Sequence, residues 1–582
     1  MISVGDMMIR LRDSLANEGL QVTYVKARAW VVRRFSERRY HRHRKHLEAL
    51  IESRLGEQRD MCNEFSFKPI ISIILPVYNV PTAYLAKAIE SVLRQSYPCW
   101  ELCIFDDAST NPETTTFLRN LPWKDERIVV HFGERNQGIV SASNQAISMA
   151  RGAYVGFLDN DDELTADALF ECVALLQDED YDLVYSDEDK LSTRGRYTEP
   201  FFKPDWCPDY LLSCNYVTHF AVYRKSIGDS LGWLRQGYDG SQDYDLVLRF
   251  TERTNRVRHI PKVLYHWRKI GGSTAQNAYA KPYAYEAGAR ALADACERRG
   301  FPAKVTSLRP GHYRVKRNVA LPFAVTLIVI VSSPERTREF VRDFEQQMRD
   351  ICHELIMVHT GEASRCLLDG CRTLVRTVTG SNEIEALNEA ASIAEGDTLV
   401  ITRDFIGGLS YESVTALLEH TQRPEVGVVG ARMCTGRRIY HAGIITGGGN
   451  GFRYVNHGTL RQAPGYFASN YDVRNYSAVA GLCHAIRRDI FLDMGGYNPA
   501  LVHCGYDVDF CLRARSRGYL IVYTPFAELS IDRSMASHPV LGRNCKRALT
   551  VASGVQLDND PFYNPNLSRE KANYSLACDI QF

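Results

Sequence analysis

The constraint that bears hardest on how this chain can fold is that it repeats itself. Glu101-Leu102-Cys103-Ile104-Phe105 recurs as Glu354-Leu355-Ile356-Met357-Val358, and Ala142-Ser143-Asn144-Gln145-Ala146 as Ala386-Leu387-Asn388-Glu389-Ala390. Asp243-Tyr244-Asp245-Leu246-Val247-Leu248-Arg249 recurs as Asp507-Val508-Asp509-Phe510-Cys511-Leu512-Arg513, in the same order in both halves. Residues 69–317 and 318–582 are therefore expected to be two copies of one module. A chain of 582 residues has room for two such units, each within the usual span of an α/β domain, plus an appendage.

Within the first copy, apolar runs alternate with helical patterns. Ile70–Leu75 ends at Pro76, Trp100–Phe105 ends at Asp106-Asp107, and Ala153–Leu158 ends at Asp159-Asn160-Asp161-Asp162. Helical periodicity separates them at Tyr84–Gln95 and Ser141–Arg151. Strands joined through helices predict an α/β fold built on a mostly parallel sheet covered on both faces. Ligands of such sheets bind at the carboxyl ends of the strands, so the acidic strand ends are expected to converge on one crevice.

Residues 1–68 differ in character, with no proline before Pro69 and a dense basic run from Arg33 to Lys45. This segment reads as helical. Trp30, Val31 and Phe35 flanked by arginines suit peripheral contact with an anionic surface, the cytoplasmic face of an inner membrane. An apolar stripe packing on the next domain suits the same residues equally. The 70 Lys and Arg balance 69 Asp and Glu, which argues against a general nucleic-acid binder. The apolar stretch Phe323–Val331 is too short to span a bilayer, and Met1–Asp6 lacks the start of a secretory signal, so a cytoplasmic location is expected. The 16 cysteines form no Cys-x-x-Cys pair, which predicts buried reduced thiols rather than a structural zinc site.

Three carboxylates in Asp159–Asp162 repel one another unless a hard cation such as Mg²⁺ or Mn²⁺ is present, with phosphate oxygens completing its shell. The alternative is an acidic turn capping the helix that starts near Thr165. The wider context favours the cation. Ser72-Ile73-Ile74-Leu75-Pro76-Val77-Tyr78-Asn79, Phe105–Ser109, Asn136-Gln137-Gly138 with Asn144, Leu158–Asp162 and Ser241–Asp245 resemble, in order, the motifs of family 2 glycosyltransferases with the GT-A fold. The tandem arrangement resembles two-module enzymes of bacterial surface-polysaccharide and O-antigen synthesis.

The resemblance implies metal-dependent, inverting transfer of a sugar from a nucleotide-diphosphate donor to a lipid-linked or oligosaccharide acceptor. It places Pro76, Tyr78, Asp106 or Asp107, and Asn136 at the nucleoside, and Asp159 near ribose and metal. Asp161 is implied as the direct metal ligand and His266 as a further metal or diphosphate contact, though a histidine before Trp267 also suits a packed core. Asp243 is implied as the catalytic base. Asp243 and Asp245 also suit capping of the helix that follows them. Arg268 and Lys269, with Gly271-Gly272-Ser273, are expected to form a loop over the diphosphate.

The second copy departs from this pattern. His359-Thr360 stand at the position of Asp106-Asp107. Arg403-Asp404-Phe405 stand at that of Asp159-Asn160-Asp161, and Ser530 at that of His266. An apolar ring cannot coordinate Mg²⁺. The expectation is a module that keeps the fold without metal-dependent transfer, serving to bind acceptor glycan or to hold the first module. A transferase working without metal, through Arg403 or Arg437-Arg438, competes with it, as does a structural dimerisation domain. Two further readings of the whole chain are a bifunctional enzyme and a non-catalytic glycan-binding scaffold. Gly447–Gly451 reads as a surface loop, because no Lys-Ser/Thr follows.

Overall fold

The computed structural model describes residues 20–121, 125–270, 282–319, 324–348, 350–359, 374–447, 451–502, 505–532, 534–535, 549 and 559–578, with side chains from Ser36 onward, Leu374 excepted. β1 (Ile71–Val77) is buried along its whole length, as a strand covered on both faces must be. β2 (Trp100–Asp106), β3 (Ile128–Phe132) and β4 (Tyr154–Phe157) run parallel to it in the order β3-β2-β1-β4. β5 (Glu163–Leu164), β6 (Leu183–Ser192), β7 (Tyr197–Phe201), β8 (Ala221–Arg224) and β9 (Val257–Lys269) extend the sheet to β3-β2-β1-β4-β8-β6-β9-β5, with β7 on β6. β8 runs antiparallel to β4 and β6, so the sheet is mixed and its uninterrupted parallel run ends at β4. The acidic turn Asp159–Asp162 lies where that run gives way to the antiparallel strand.

A hairpin of β10 (Ala303–Arg309) and β11 (His312–Arg317) follows the helix Pro282–Arg298. The second sheet uses β12 (Val325–Ile330), β13 (Glu354–His359), β14 (Leu374–Thr379), β15 (Thr398–Arg403), β16 (Ile406–Gly407), β17 (Val426–Thr435) and β18 (Arg438–His441). β19 (Ile444–Thr446) and β20 (Phe452–Tyr454) pair separately. Gly447 N donates to Gly451 O at 2.9 Å, and residues 448–450 between them lie outside the described residues. β21 (Arg474–Asn475), β22 (Cys483–Arg487) and β23 (Leu520–Ile531) complete the order β14-β13-β12-β15-β22-β17-β23-β16. Strand for strand, and in each pairing direction along the path, this matches the first sheet.

The residues that repeat in sequence make the same hydrogen bonds twice. Glu101 accepts from Ser72 Oγ at 2.7 Å and Arg151 N at 2.5 Å; Glu354 accepts from Thr326 Oγ1 at 2.6 Å and Glu395 N at 2.9 Å. Asn144 bonds both backbone groups of Leu234, and Asn388 both of Tyr497. Arg249 Nε donates to Asp245 at 2.8 Å, and Arg513 Nε to Asp509 at 2.8 Å. Each of these satisfies polar groups that would otherwise be costly to bury.

One face of each sheet packs its own apolar cluster, around Ile73 and Leu102 in the first and Leu327 and Leu355 in the second. A third cluster is shared, taking Ile74, Val155 and Tyr244 from one half and Ile328, Ile401 and Phe510 from the other. Polar contacts cross the same junction. Arg423 pairs with the buried Asp209, and Asn475 Nδ2 donates to Asp209 at 2.8 Å. Residues 559–578 return to the first half, where Asn564 Nδ2 donates to Asp187 at 2.9 Å and Asn566 Nδ2 to Pro261 O at 2.9 Å.

The N-terminal helix Leu20–Glu64 is 45 residues long. Tyr40, Ile51, Leu55 and Cys62 are buried, and Tyr40 Oη donates to Asp189 at 2.7 Å, so this part packs on the first half. The side chains of Trp30, Val31 and Phe35, on which the surface-contact reading rests, lie outside those described. Among the described residues no helix is long and apolar enough to cross a membrane.

Candidate active site

The site is built at the carboxyl ends of β1, β2 and β4. Past β1, Tyr78 is 48% exposed, its ring available as a stacking platform. Asn79 Oδ1 accepts from Thr110 N at 2.8 Å and Asn111 N at 3.0 Å, which fixes the loop beyond β2. The two acids ending β2 have separate tasks. Asp106 is buried and accepts from Ser109 N at 3.1 Å. Asp107 accepts from Gln137 N at 3.0 Å and Gly138 N at 2.8 Å, and Gly138 adopts φ +85° to present that amide. A cavity of about 440 Å³ opens here, lined by Pro76, Tyr78, Asp107, Asn136, Asp159 and Asp161 among others. Asp106 is not among its lining residues.

After β4 the chain turns tightly, with Asp162 N donating to Asp159 O at 3.1 Å and Asn160 Nδ2 reaching back to Pro76 O at 2.8 Å. Asp162 is fully buried. It accepts from Tyr265 Oη at 2.6 Å and Arg268 N at 2.7 Å, and burial, then the charges of Asp159 and Asp161, push its carboxyl well above the usual range. Of the three acids, Asp162 shapes the turn while Asp159 and Asp161 face the cavity.

A second cavity, of about 540 Å³, adjoins the first and shares Pro76, Ile139 and Asp159 with it. Asp243 lines it from the first turn of the helix Gln242–Phe250, held by Asn215 Nδ2 at 2.9 Å. Burial raises the Asp243 carboxyl above its ordinary value, with His219 opposing. Asp245, two residues on, is wholly buried and bonded to Arg249 and Arg235, so only one acid of the pair faces the cavity.

The structure does not bring His266 to these acids. Its ring is buried between Asp189 Oδ1 at 2.6 Å and Glu48 Oε1 at 3.2 Å, where it fastens the N-terminal helix to β9. His219 is the histidine that lies beside Asp159. Its Nε2 lies 3.9 Å from Asp159 and its Nδ1 3.5 Å from Glu188, and its ring stacks on Tyr265 at 4.6 Å. Burial alone would lower its pKa, but Glu188, Asp159 and Asp162 lift it to about 9. The signal in the sequence is a histidine two residues before the apolar strand β8. Arg268 is buried too, donating to Asp161 O at 2.8 Å and pairing with Glu163, while Lys269 pairs with Glu199 at 2.9 Å. Gly271-Gly272-Ser273 lie outside the described residues.

Strand register gives the second half's counterparts. Asp159, one residue beyond Leu158, corresponds to Arg403; His219, just before β8, corresponds to Leu482. Glu188 corresponds to Met433, Tyr265 to Leu529 and Asp162 to Ile406. Ile406, Met433 and Leu529 are core residues there, with Leu482 and Phe405 packed against them. Where Asp159 and Ile139 both line open cavities, Arg403 and its facing residue Glu383 form a salt bridge at 2.5 Å.

Residues 72–232 match the family described as Glycosyl transferase family 2. A glycosyl transferase family 2 domain therefore occupies residues 72–232. An uncharacterized protein of Sinorhizobium fredii is 35% identical over 556 residues, covering 90% of this chain and 60% of that one. The O-antigen biosynthesis protein RfbC of Myxococcus xanthus is 32% identical over 533 residues, covering 89% of this chain and 42% of its own length. The chain thus spans about half the length of these curated relatives. A crystal structure of S. aureus TarS residues 1–349 in complex with UDP-GlcNAc aligns at 21% identity and a TM-score of 0.32, over 39% of this chain and 66% of that one.

Proposed function

We propose that the glycosyl transferase domain moves one sugar from a nucleoside diphosphate donor, with inversion, onto a growing cell-surface glycan. The observation that carries this reading is that Asp159 lines both cavities, so a nucleotide stacked on Tyr78 and an acceptor beside Asp243 would meet at one acid. The acceptor hydroxyl attacks the anomeric carbon as the bond to the diphosphate breaks, and Asp243 takes the hydroxyl proton. A carboxyl raised by burial suits that task, because its basicity is greater than that of an exposed aspartate. Asn215 holds one Asp243 oxygen and so orients the carboxylate in the cavity wall.

The donor set fits a hard divalent cation. Asp159 and Asp161 are oxygen ligands at the cavity wall, and Asp162 is already committed to Tyr265 and Arg268. Mg²⁺ or Mn²⁺ held there would offset the charge of the departing diphosphate. His219, cationic at neutral pH, adds positive charge on the same side. The name of the Myxococcus relative, an O-antigen biosynthesis protein, supports a place in surface-polysaccharide synthesis, for which we propose a lipid-linked or oligosaccharide acceptor at the cytoplasmic face of the membrane.

For the second half we propose a module without donor turnover that supports the first. The salt bridge Arg403–Glu383 and the apolar replacements around it favour this over a second transferase. The test is nucleoside diphosphate release from a panel of nucleotide sugars, with and without Mn²⁺. Metal-dependent release is expected, and its absence with every donor would sink the proposal.

A further inference from the structure

Cys214, His312 and Asp472 come together at the junction of the two halves, their potential ligand atoms all within 4.8 Å of one another. They derive from the loop after the helix Pro208–Leu211, from β11 and from the stretch before β21. Hydrogen bonds to the backbone and side chain of one residue fix these three segments. Ser213 O accepts from Tyr313 N at 2.8 Å, and Ser213 Oγ accepts from Val473 N at 3.1 Å. Each candidate ligand is thus one residue from a hydrogen bond made by Ser213, so the cluster is held by the fold and not by its own contacts.

Asp472 is wholly buried, and His312 Nδ1, at 3.0 and 3.2 Å from its two oxygens, is the partner that reaches it. A buried carboxylate needs positive charge close by, and the imidazole is the side chain hydrogen-bonded to it. Cys214 is buried next to it. Two ligands of one tetrahedral zinc ion, at about 2.0–2.1 Å from it, lie about 3.3 Å apart, close to the spacing His312 and Asp472 already keep. The sulfur needs to move by at most about 1 Å to complete the set. A thiolate, a carboxylate and a neutral imidazole around a divalent ion sum to zero charge, which is what a buried site requires. His312, 16% exposed, gives water access to a fourth position.

We infer that Cys214, His312 and Asp472 bind a zinc ion that pins the second half to the glycosyl transferase domain. The thiolate selects zinc over Mg²⁺ or Mn²⁺, so this site and the Asp159–Asp161 site take different metals. Cys214 directly precedes Asn215, the residue that holds Asp243. On the reading of Asp243 as the base, the ion is a positioning device through which the second half steadies the catalytic group. The ligands lie 98 and 160 positions apart in the chain, which is why no spacing motif announces them.

The test is metal content, which needs no turnover. Full-length protein purified without chelator is expected to carry about one zinc per chain by plasma mass spectrometry. Exchange with Co²⁺ should give the thiolate-to-cobalt charge-transfer absorption. Both should persist in Asp161→Asn and be lost in Cys214→Ser, with His312→Gln losing most of the bound zinc. Wild-type protein that carries no zinc and shows no such absorption with Co²⁺ would overturn the proposal, as would a zinc content unchanged in folded Cys214→Ser.

Discussion

At the end of β4 the first half places Asp159, Asn160 and Asp161; at the end of β15 the second half places Arg403, Asp404 and Phe405 on an equivalent backbone path. Around the first trio stand Glu188, His219 and Tyr265, and around the second Met433, Leu482 and Leu529. The hydrogen bonds that build the two sheets differ far less. Glu101 and Glu354, Asn144 and Asn388, and the Asp245–Arg249 and Asp509–Arg513 pairs make closely similar contacts. Fold and chemistry are therefore carried by separate residues. Polar groups that satisfy buried backbone recur in both halves; of those that face the cavities, Asp159 and Asp161 are replaced by Arg403 and Phe405 while Asp243 recurs as Asp507.

The comparison breaks most severely if the cavity acids are not special. Asp161→Asn is expected to lower metal-dependent donor turnover by about 10³-fold, roughly 4 kcal/mol of transition-state stabilisation. Phe405→Asp in the second half should add no turnover, because Met433, Leu482 and Leu529 still surround the position. Steady-state nucleotide release measures both. A metal-dependent second activity in Phe405→Asp would mean that the apolar surround is not what disables that half.

The junction comes next. Burial alone would raise the Asp209 carboxyl, but Arg423, helped by His420 and Arg317, holds it down at about 2. The folded value is depressed, so the contribution is complete above the ordinary 3.8 and is lost as pH falls from there towards 2. It amounts to about 2 kcal/mol. Asp209→Asn removes the buried partner of Arg423, leaving it the exposed Glu425, and should cost about 3 kcal/mol at neutral pH, read from urea midpoints. Its acid limb should be shallower than that of wild type. A stability profile unchanged by the substitution would mean that the two halves are not coupled through this pair.

Scaffold substitutions should be symmetric. Asn144→Ala and Asn388→Ala each release a backbone N–H and C=O, and both should cost about 2 kcal/mol by thermal unfolding. Unequal costs would show that one half is not held by the repeated bonds. The smallest effect is expected from Arg403→Leu, which removes a partly exposed pair worth at most about 1 kcal/mol and should leave donor turnover unchanged.

Much of this could be read from the chain. The repeat, the strand–helix alternation and the acidic strand ends are local patterns, and β1, β2 and β4 form where the apolar runs lie. What could not be read depends on distant partners. His219 precedes Phe220 at the entrance to β8 and His266 precedes Trp267 within β9, and only the register of β8 and β9 decides which reaches Asp159. The split between Asp106 and Asp107 follows from the path of the loop at Gln137 and Gly138. The antiparallel β8 hides because its apolar run looks like that of any buried strand. The return of residues 559–578 onto the first half leaves no local mark, since Asn564 and Asn566 find their partners more than 300 positions away.

The central claim is that one of two like-folded halves performs transfer. It is tested most directly by nucleoside diphosphate release in the presence of Mn²⁺ for wild type, Asp243→Asn and Asp507→Asn side by side. The account predicts loss of about 10³-fold in Asp243→Asn and no more than about a twofold change in Asp507→Asn. Loss of a distinct product in Asp507→Asn, with the other product retained, would contradict it.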